Sequence, residues 1–296
     1  MQDKLIRKPI IWIAGGHGFV GHEIAYLLNQ KELKVCLLSR QHQVHTDFTI
    51  VQTDYSSDDL AVHFKPMDTV INLIGILNEK GFNGKGFDMA HVETTRAILD
   101  ACNKSGINRY LHMSALHAST RGPSNYLISK AKAEDLVTAS GLDFTIFRPS
   151  VIFGVHDSFT NRFAQLIKFS PFVFPLACPD SRFQPICIED VAHCFVQSLT
   201  MPETVNQAYD LCGPDVFTLK EIVELIAKTM NRKLRVIGLN DGLSKIQAGI
   251  LQFIPGKPFS MDNYKSLKID SVCTSRQSLP FTLSNTGLGS AIKNYL

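Results

Sequence analysis

Short apolar runs alternate with segments of helical spacing through the first half of this 296-residue chain. The runs cover residues 10–14, 34–38, 48–51, 69–74, 109–113 and 144–147, and the first of them is β-branched and aromatic. Between them, residues 20–29, 87–105 and 126–140 carry apolar positions at helical intervals, as Ile24, Leu27 and Leu28 do. Strands that alternate with helices pair in parallel, with helices covering both faces. The pattern predicts an α/β fold with a doubly wound parallel sheet over residues 1–150. It then loosens beyond Pro149, which predicts a smaller C-terminal α/β lobe over residues 151–296, with a return segment near 183–212 packing back on the sheet. A helix is expected from Thr218, where Thr218 and Glu221 form a capping box ahead of Ile222, Val223, Leu225 and Ile226. Residues 169–176 and 250–259 are apolar but broken by Pro, which removes donors and fixes φ, so neither reads as a strand or a long helix. Burial between the lobes is the expectation for both. Left exposed, they would instead mark a ligand groove, a partner or a membrane surface.

The first run leads straight into Gly15-Gly16-His17-Gly18-Phe19-Val20-Gly21, and a helical segment follows. Strand, glycines and helix in this order form the Rossmann dinucleotide fingerprint. Gly15 makes the tight turn, Gly18 lets the backbone approach a pyrophosphate at the helix N-terminus, and Gly21 lets the helix pack closely on the strand. Phe19 and Val20 lie within the same cofactor loop. A bare turn is the competing reading, because turns recruit Gly for φ > 0 whatever they bind. The second run ends in Leu37-Leu38-Ser39-Arg40, with no carboxylate to accept from a ribose 2′-hydroxyl. An Arg here accommodates a 2′-phosphate, which favours NADP(H) over NAD(H); a merely solvated Arg40 would leave either cofactor acceptable.

Composition narrows the classes. A formal charge of +3 with interspersed signs offers no basic stripe for nucleic acid. The seven Cys form neither a CxxC pair nor an even framework, which predicts reduced thiols in a cytoplasmic protein. Ten His residues show no HExxH and no zinc-ligand spacing with Cys, so no metal is expected. The first strand begins by about Ile10, leaving no room for a signal or transit peptide. No apolar run approaches the ~18 to 20 residues of a membrane span.

The order GGHGFVG, INLIG (71–75), YLISK (126–130), RPSVIFG (148–154) and IEDVA (188–192) resembles the extended short-chain dehydrogenase/reductase superfamily. FQPICIEDVA followed by AYDLCGPDVFTLKEIV is similar to its atypical branch, which contains the nucleotide-binding accessory subunit of respiratory complex I and bacterial relatives. The resemblance spans residues 10–272. It implies that Tyr126 acts as general acid/base and that Lys130 lowers its pKa and holds the nicotinamide ribose. Residues at i and i+4 do share a helix face. Tyr264 and Lys268 repeat the interval without a glycine loop, so position, not spacing, singles out Tyr126 and Lys130. The resemblance also places Leu73, Gly75, Pro149 and Val151 along the cofactor. Asp54 falls where relatives contact adenine, although an Asp in TDYSSDD also suits a turn. Asp190 is expected to cap a helix.

Two positions depart from the family pattern. Ala115 stands where a catalytic member has Ser or Thr, and Ser114 is one residue away, hence on the opposite face of a strand. His91 lies near the usual Asn. The chain therefore carries three readings. The first is an NAD(P)(H)-dependent oxidoreductase acting on a small, lipid-like or quinone-like carbonyl, peripheral to an inner membrane. The second is a non-catalytic, cofactor-stabilised binding or assembly subunit linked to respiratory or quinone metabolism. A sugar nucleotide epimerase or dehydratase is the third.

Overall fold

A computed structural model describes residues 7–42, 45–170, 172–274 and 278–296; Pro171, inside the first Pro-broken stretch, lies outside them. The strands are β1 (Ile11–Ala14), β2 (Val35–Ser39), β3 (Thr49–Gln52), β4 (Thr69–Asn72), β5 (Arg109–Met113) and β6 (Asp143–Pro149). They continue as β7 (Ile152–Phe153), β8 (Val173–Leu176), β9 (Arg182–Phe183), β10 (Ile186–Cys187), β11 (Gln207–Leu211), β12 (Phe217–Thr218) and β13 (Arg235–Gly238). Seven of them form one sheet in the order β11-β6-β5-β4-β1-β2-β3. Every pairing in it is parallel, with Ile13 opposite both Leu37 and Ile71. This is the doubly wound Rossmann order, with its switch point beside β1.

The helices are α1 (Phe19–Gln30), α2 (Ser57–His63), α3 (Lys85–Phe87), α4 (Thr94–Ser105), α5 (Asn125–Thr138) and α6 (Thr160–Lys168). After these come α7 (Ile188–Ser198), α8 (Leu219–Thr229), α9 (Asp241–Leu251), α10 (Met261–Ser266) and α11 (Leu288–Ala291). Successive strand residues point to opposite faces. Ile11, Ile13, Leu37, Ile71 and Phe147 accordingly pack with α1 and α7. Trp12, Ala14, Cys36, Leu38, Val70 and Tyr110 pack on the other face with α2 and α4. A third core gathers Phe153, Ile167, Phe174, Phe183, Ile222 and Ile226 from α6, α8 and the short strands.

Several expectations are corrected. The helix expected over 87–105 is broken by a π-helical turn at Asp88–Glu93, which shifts its side chains relative to the flanking α-helical turns. Residues Val173–Leu176, expected to be irregular, form β8 paired in parallel with β13. Pro175 is tolerated because β8 is an edge strand with a single partner. Asp190 does not cap α7, whose N-cap is Cys187; it is the third helical residue and accepts from the Ser284 amide at 2.6 Å. Cys212 and Cys273, 61 residues apart, form a disulfide, because the fold brings the loop after β11 beside a segment near the C-terminus. The other five cysteines are free. The capping box at Thr218 and Glu221 forms as expected.

Gly21 fixes how closely α1 approaches the turn before it. A Cβ there would stand 2.6 Å from the Gly16 Cα, a backbone atom with nowhere to move. Gly21→Ala is expected to lower stability by about 2 kcal/mol. Urea unfolding of the two proteins measures the loss, and an unchanged midpoint would show that α1 can slide.

Candidate functional site

The glycine loop lies at the carboxyl end of β1, where parallel sheets present backbone to ligands. Gly15 adopts φ +82°, and a Cβ on it would press within 3.1 Å of the Leu73 carbonyl carbon. Gly18 is the N-cap of α1, with no side-chain cap and no acidic residue in the first turn. The helix start is thus free to face an anion. A Cβ at Gly18 would meet the Gly15 carbonyl oxygen at 3.2 Å. Val20 is buried in the core, and Phe19 lies partly buried against Gly154.

Three amides of the loop after β4 have partners. Leu73 N–H donates to the Ala14 carbonyl, Ile74 N–H to Asn72 Oδ1 at 3.0 Å, and Ile76 N–H to His91 Nε2 at 3.0 Å. Gly75 sits where a Cβ would stand 3.1 Å from Lys130 Nζ and 3.5 Å from His91 Nε2. One short loop therefore touches the glycine turn at one end and the tyrosine helix at the other. His91 continues the link, because its Nδ1 bonds Ser129 Oγ at 2.8 Å and that hydroxyl donates to the Tyr126 carbonyl at 2.9 Å. Accepting at Nε2 fixes the neutral tautomer with its proton on Nδ1. The rings of Phe87 and His91 stand edge-on to Tyr126 at 6.0 and 5.7 Å.

Tyr126 opens α5, whose N-terminus is held from the second half of the chain. Asp262 accepts from the Asn125 and Tyr126 amides at 2.7 and 3.1 Å, and Ser124 caps the Leu127 amide. Lys130 is buried and donates to the Met113 carbonyl at 3.0 Å. Burial pulls its pKa down to about 8, against the opposing charge of Glu134. Burial pushes the Tyr126 phenol up to about 12, the reverse of the lowering that its lysine partner is expected to give. Ser114 is buried with no partner for Oγ, and Ala115 beside it is buried as well. Pro149 and Val151 flank Ser150 at the carboxyl end of β6.

Arg40 is exposed at the end of β2, over the Tyr55 ring at 5.3 Å and 3.4 Å from Thr94 Oγ1. Asp54 is exposed and accepts from the Ser56 amide at 2.6 Å; hydrogen bonds from Ser56 hold its carboxyl below the usual range. That is the geometry of a turn. Tyr264 and Lys268 both engage Asp241 instead of lining this cleft. Sequence reasoning missed Asp262 and Ser129 and noted His91 only as a departure. A capping box at Ser260 and Asn263 was legible, but not that Asp262 would reach α5.

The fold and this site define a Rossmann-type nicotinamide-nucleotide-binding protein. The chain belongs to the family described as NAD(P)H-binding, which matches residues 15–202. It is 29% identical over 220 residues to the NADH dehydrogenase [ubiquinone] 1 alpha subcomplex subunit 9 of Arabidopsis thaliana mitochondria, a match covering 73% of this chain and 54% of that protein. The chain thus spans about half the length of that relative. It is 28% identical over 240 residues to the ceramide reductase of Caulobacter vibrioides, covering 79% of this chain and 74% of that one. Among solved structures, MoeE5 in complex with UDP-glucose and NAD superposes with a TM-score of 0.75 at 15% identity, over 96% of each chain. At that identity the likeness concerns the fold.

Two buried histidines give this site a pH signature. Burial, reinforced by the Lys130 charge, pushes His91 down to about 2 and His112 to about 3. The unfolded chain takes up protons on both below its ordinary pKa of about 6.5, while the folded chain does not, so stability falls as pH drops through that window. From about pH 7 to about pH 5.5 the pair should cost about 2.5 kcal/mol. Urea unfolding at the two pH values checks this, and His112→Phe should roughly halve the loss.

Proposed function

We propose that this protein is an NADP(H)-dependent oxidoreductase that acts on the carbonyl of a lipid-like or quinone-like molecule at a membrane surface. The observation that carries the nucleotide half is the loop 73–76, which ties the glycine turn to Lys130 and to the Tyr126 backbone. Gly15, Gly18 and the start of α1 would hold the pyrophosphate, with Leu73, Gly75, Pro149 and Val151 along the remainder. Arg40, with no carboxylate beside it on β2, suits a 2′-phosphate. A nucleotide held there would supply or accept the hydride. Tyr126 exchanges the proton at the carbonyl oxygen. Lys130, a cation in a dry setting, favours the phenolate once its ammonium turns from Met113 toward the cleft.

The second half of the chain supports the substrate class. Phe169, Phe172 and Phe253, expected to be buried, are 88%, 77% and 72% exposed. The outward face of α9 carries exposed Leu243, Ile246 and Ile250, while Ser244 and Ala248 face inward. Gln247 on α9 donates to the Pro175 carbonyl, which places this face beside β8 and exposed Val173. Phe253 packs against Phe82 with the rings tilted and their centroids 5.4 Å apart, beside a cavity of about 60 Å³ that Phe87 shares with the tyrosine site. Residues 232–259 hold Arg232, Lys233, Arg235, Lys245 and Lys257 against one acidic residue, Asp241. An apolar face with a basic rim suits the surface of an anionic bilayer. No helix among the described residues is long and apolar enough to cross a membrane.

A second reading, a nucleotide-stabilised binding or assembly subunit, draws on Ala115 and on the partnerless buried Ser114. One oriented donor at a developing oxyanion can be worth ~3 kcal/mol, and the Ala115 methyl supplies none.

NADPH is expected to bind at least about tenfold more tightly than NADH, a difference that Arg40→Asp removes. Calorimetry of both nucleotides on both proteins decides it; equal affinities in the native protein would end the NADP assignment. Turnover and docking are separated in one vesicle experiment. Anionic vesicles containing a short-chain quinone or a long-chain ketone are mixed with NADPH and protein, and flotation and NADPH oxidation are followed together. Tyr126→Phe should float normally and lose oxidation by about a hundredfold or more. Phe172→Ser and Phe253→Ser should lose flotation. Native protein that binds NADPH and floats without oxidising it favours the assembly reading.

A further inference from the structure

We infer that Cys212 and Cys273 form a thiol–disulfide exchange site that controls how firmly the segment 270–273 closes over the carboxyl ends of β5 and β6. The inference rests on the nucleotide-binding reading of that cleft and concerns its regulation. The segment is a strap held by hydrogen bonds to the cleft itself. The Ser271 carbonyl accepts from Ser150 Oγ at 2.7 Å and from the Gln184 amide at 2.9 Å, and the Ser271 amide donates to the Arg182 carbonyl at 2.7 Å. His117, two residues beyond Ala115, bonds the Val272 carbonyl through Nε2 at 2.9 Å. Ser150 lies between Pro149 and Val151, the positions assigned to the cofactor. The strap therefore takes a hydrogen bond from the Ser150 side chain, on the segment that would face the nicotinamide end.

The disulfide closes this arrangement from the other side. Cys212 directly follows β11, and the carbonyl of Leu211 accepts from the Ser150 amide at 2.9 Å. Gln184 holds both arms, accepting from the Cys273 amide at 3.1 Å and donating to the Gly213 carbonyl at 2.7 Å. With the bridge formed, the strap is tied covalently to the strand end that supports Ser150. With it broken, the strap is held by hydrogen bonds and the exposed Arg182–Asp270 ion pair, which water can replace.

The chain's remaining thiols are poor competitors for exchange. Cys36, Cys102, Cys187 and Cys194 are buried, and burial raises the thiol pKa of each, to about 11 for Cys36 and about 12 for Cys187. Burial also raises that of Cys178. Thiolates are the attacking species, so these groups are slow. Cys212 and Cys273 are only half-buried, within reach of a reductant. The partner class is a dithiol protein or small dithiol. Its thiolate attacks one bridge sulfur, breaking the S–S bond and forming a mixed disulfide, while the other cysteine leaves as thiolate and takes a proton. The second thiolate of the reductant then resolves the mixed disulfide. Two electrons and two protons end on Cys212 and Cys273, and the reductant leaves as a disulfide; a disulfide oxidant reverses the exchange.

The test uses the full chain, oxidised with glutathione disulfide or reduced with dithiothreitol. Alkylation followed by mass spectrometry should show both cysteines blocked in the first form and free in the second. Amide exchange at Ser271 and Cys273 should run at least about tenfold faster after reduction, and NADPH should bind about fivefold more weakly, at the low end of ordinary coupling between sites. Cys273→Ser should match the reduced form under both conditions; Cys212→Ser replaces it if that variant does not fold. Alkylation of both cysteines in the oxidised protein overturns the site, and equal exchange in the two forms overturns the strap. Faster exchange with unchanged NADPH affinity overturns control of the cleft. A chain that binds no NADPH in either form overturns the nucleotide reading instead, while exchange still decides the strap.

Discussion

The site depends on how closely the loop 73–76 is pressed between two parts of the chain. On one side a Cβ at Gly15 would crowd the Leu73 backbone, and on the other a Cβ at Gly75 would crowd Lys130 and His91. Two glycines let backbone approach where any other residue would hold the parts apart. Asn72, at the end of β4, secures the loop by accepting from the Ile74 amide while donating to Thr95 and Tyr110. Sheet, glycine turn and tyrosine helix are tied together through a few amides.

That unit is electrostatically unusual. A lysine ammonium and two histidines share a dry region under the sheet, and the conflict is resolved by keeping both imidazoles neutral. His91 uses its neutrality, donating to Ser129 and accepting from Ile76, so it serves as a brace and not as a proton carrier. His112 has no partner for either nitrogen. The same low-polarity setting that raises the Tyr126 phenol also strengthens whatever charge a cation beside it supplies.

The second half of the chain reaches into the site more than its looser pattern suggests. Asp262 caps the tyrosine helix, Lys257 donates to the Glu79, Lys80 and Gly81 carbonyls, and the strap at 270–273 binds Ser150. The same half exposes its large apolar side chains on the outside. A cleft whose walls and outer rim come from one group of elements can couple events at a surface to the geometry inside, with the disulfide as one point where that coupling is adjustable.

The sheet was legible from the chain alone, because short apolar runs that alternate with helical segments pair in parallel, and the spacing of Gly15, Gly18 and Gly21 calls for a close backbone approach. Only the tertiary structure decided the rest. Asp262 meets α5 across more than a hundred residues, and Cys212 meets Cys273 across 61, contacts with no local pattern to announce them. The π-helical turn that turns His91 toward Ser129 leaves no periodicity to read, because it shifts the helical repeat by a single residue. Apolar residues in α9 and around β8 look alike in sequence whether they face a core or a bilayer. Which of the two they face is set by the neighbours that folding provides.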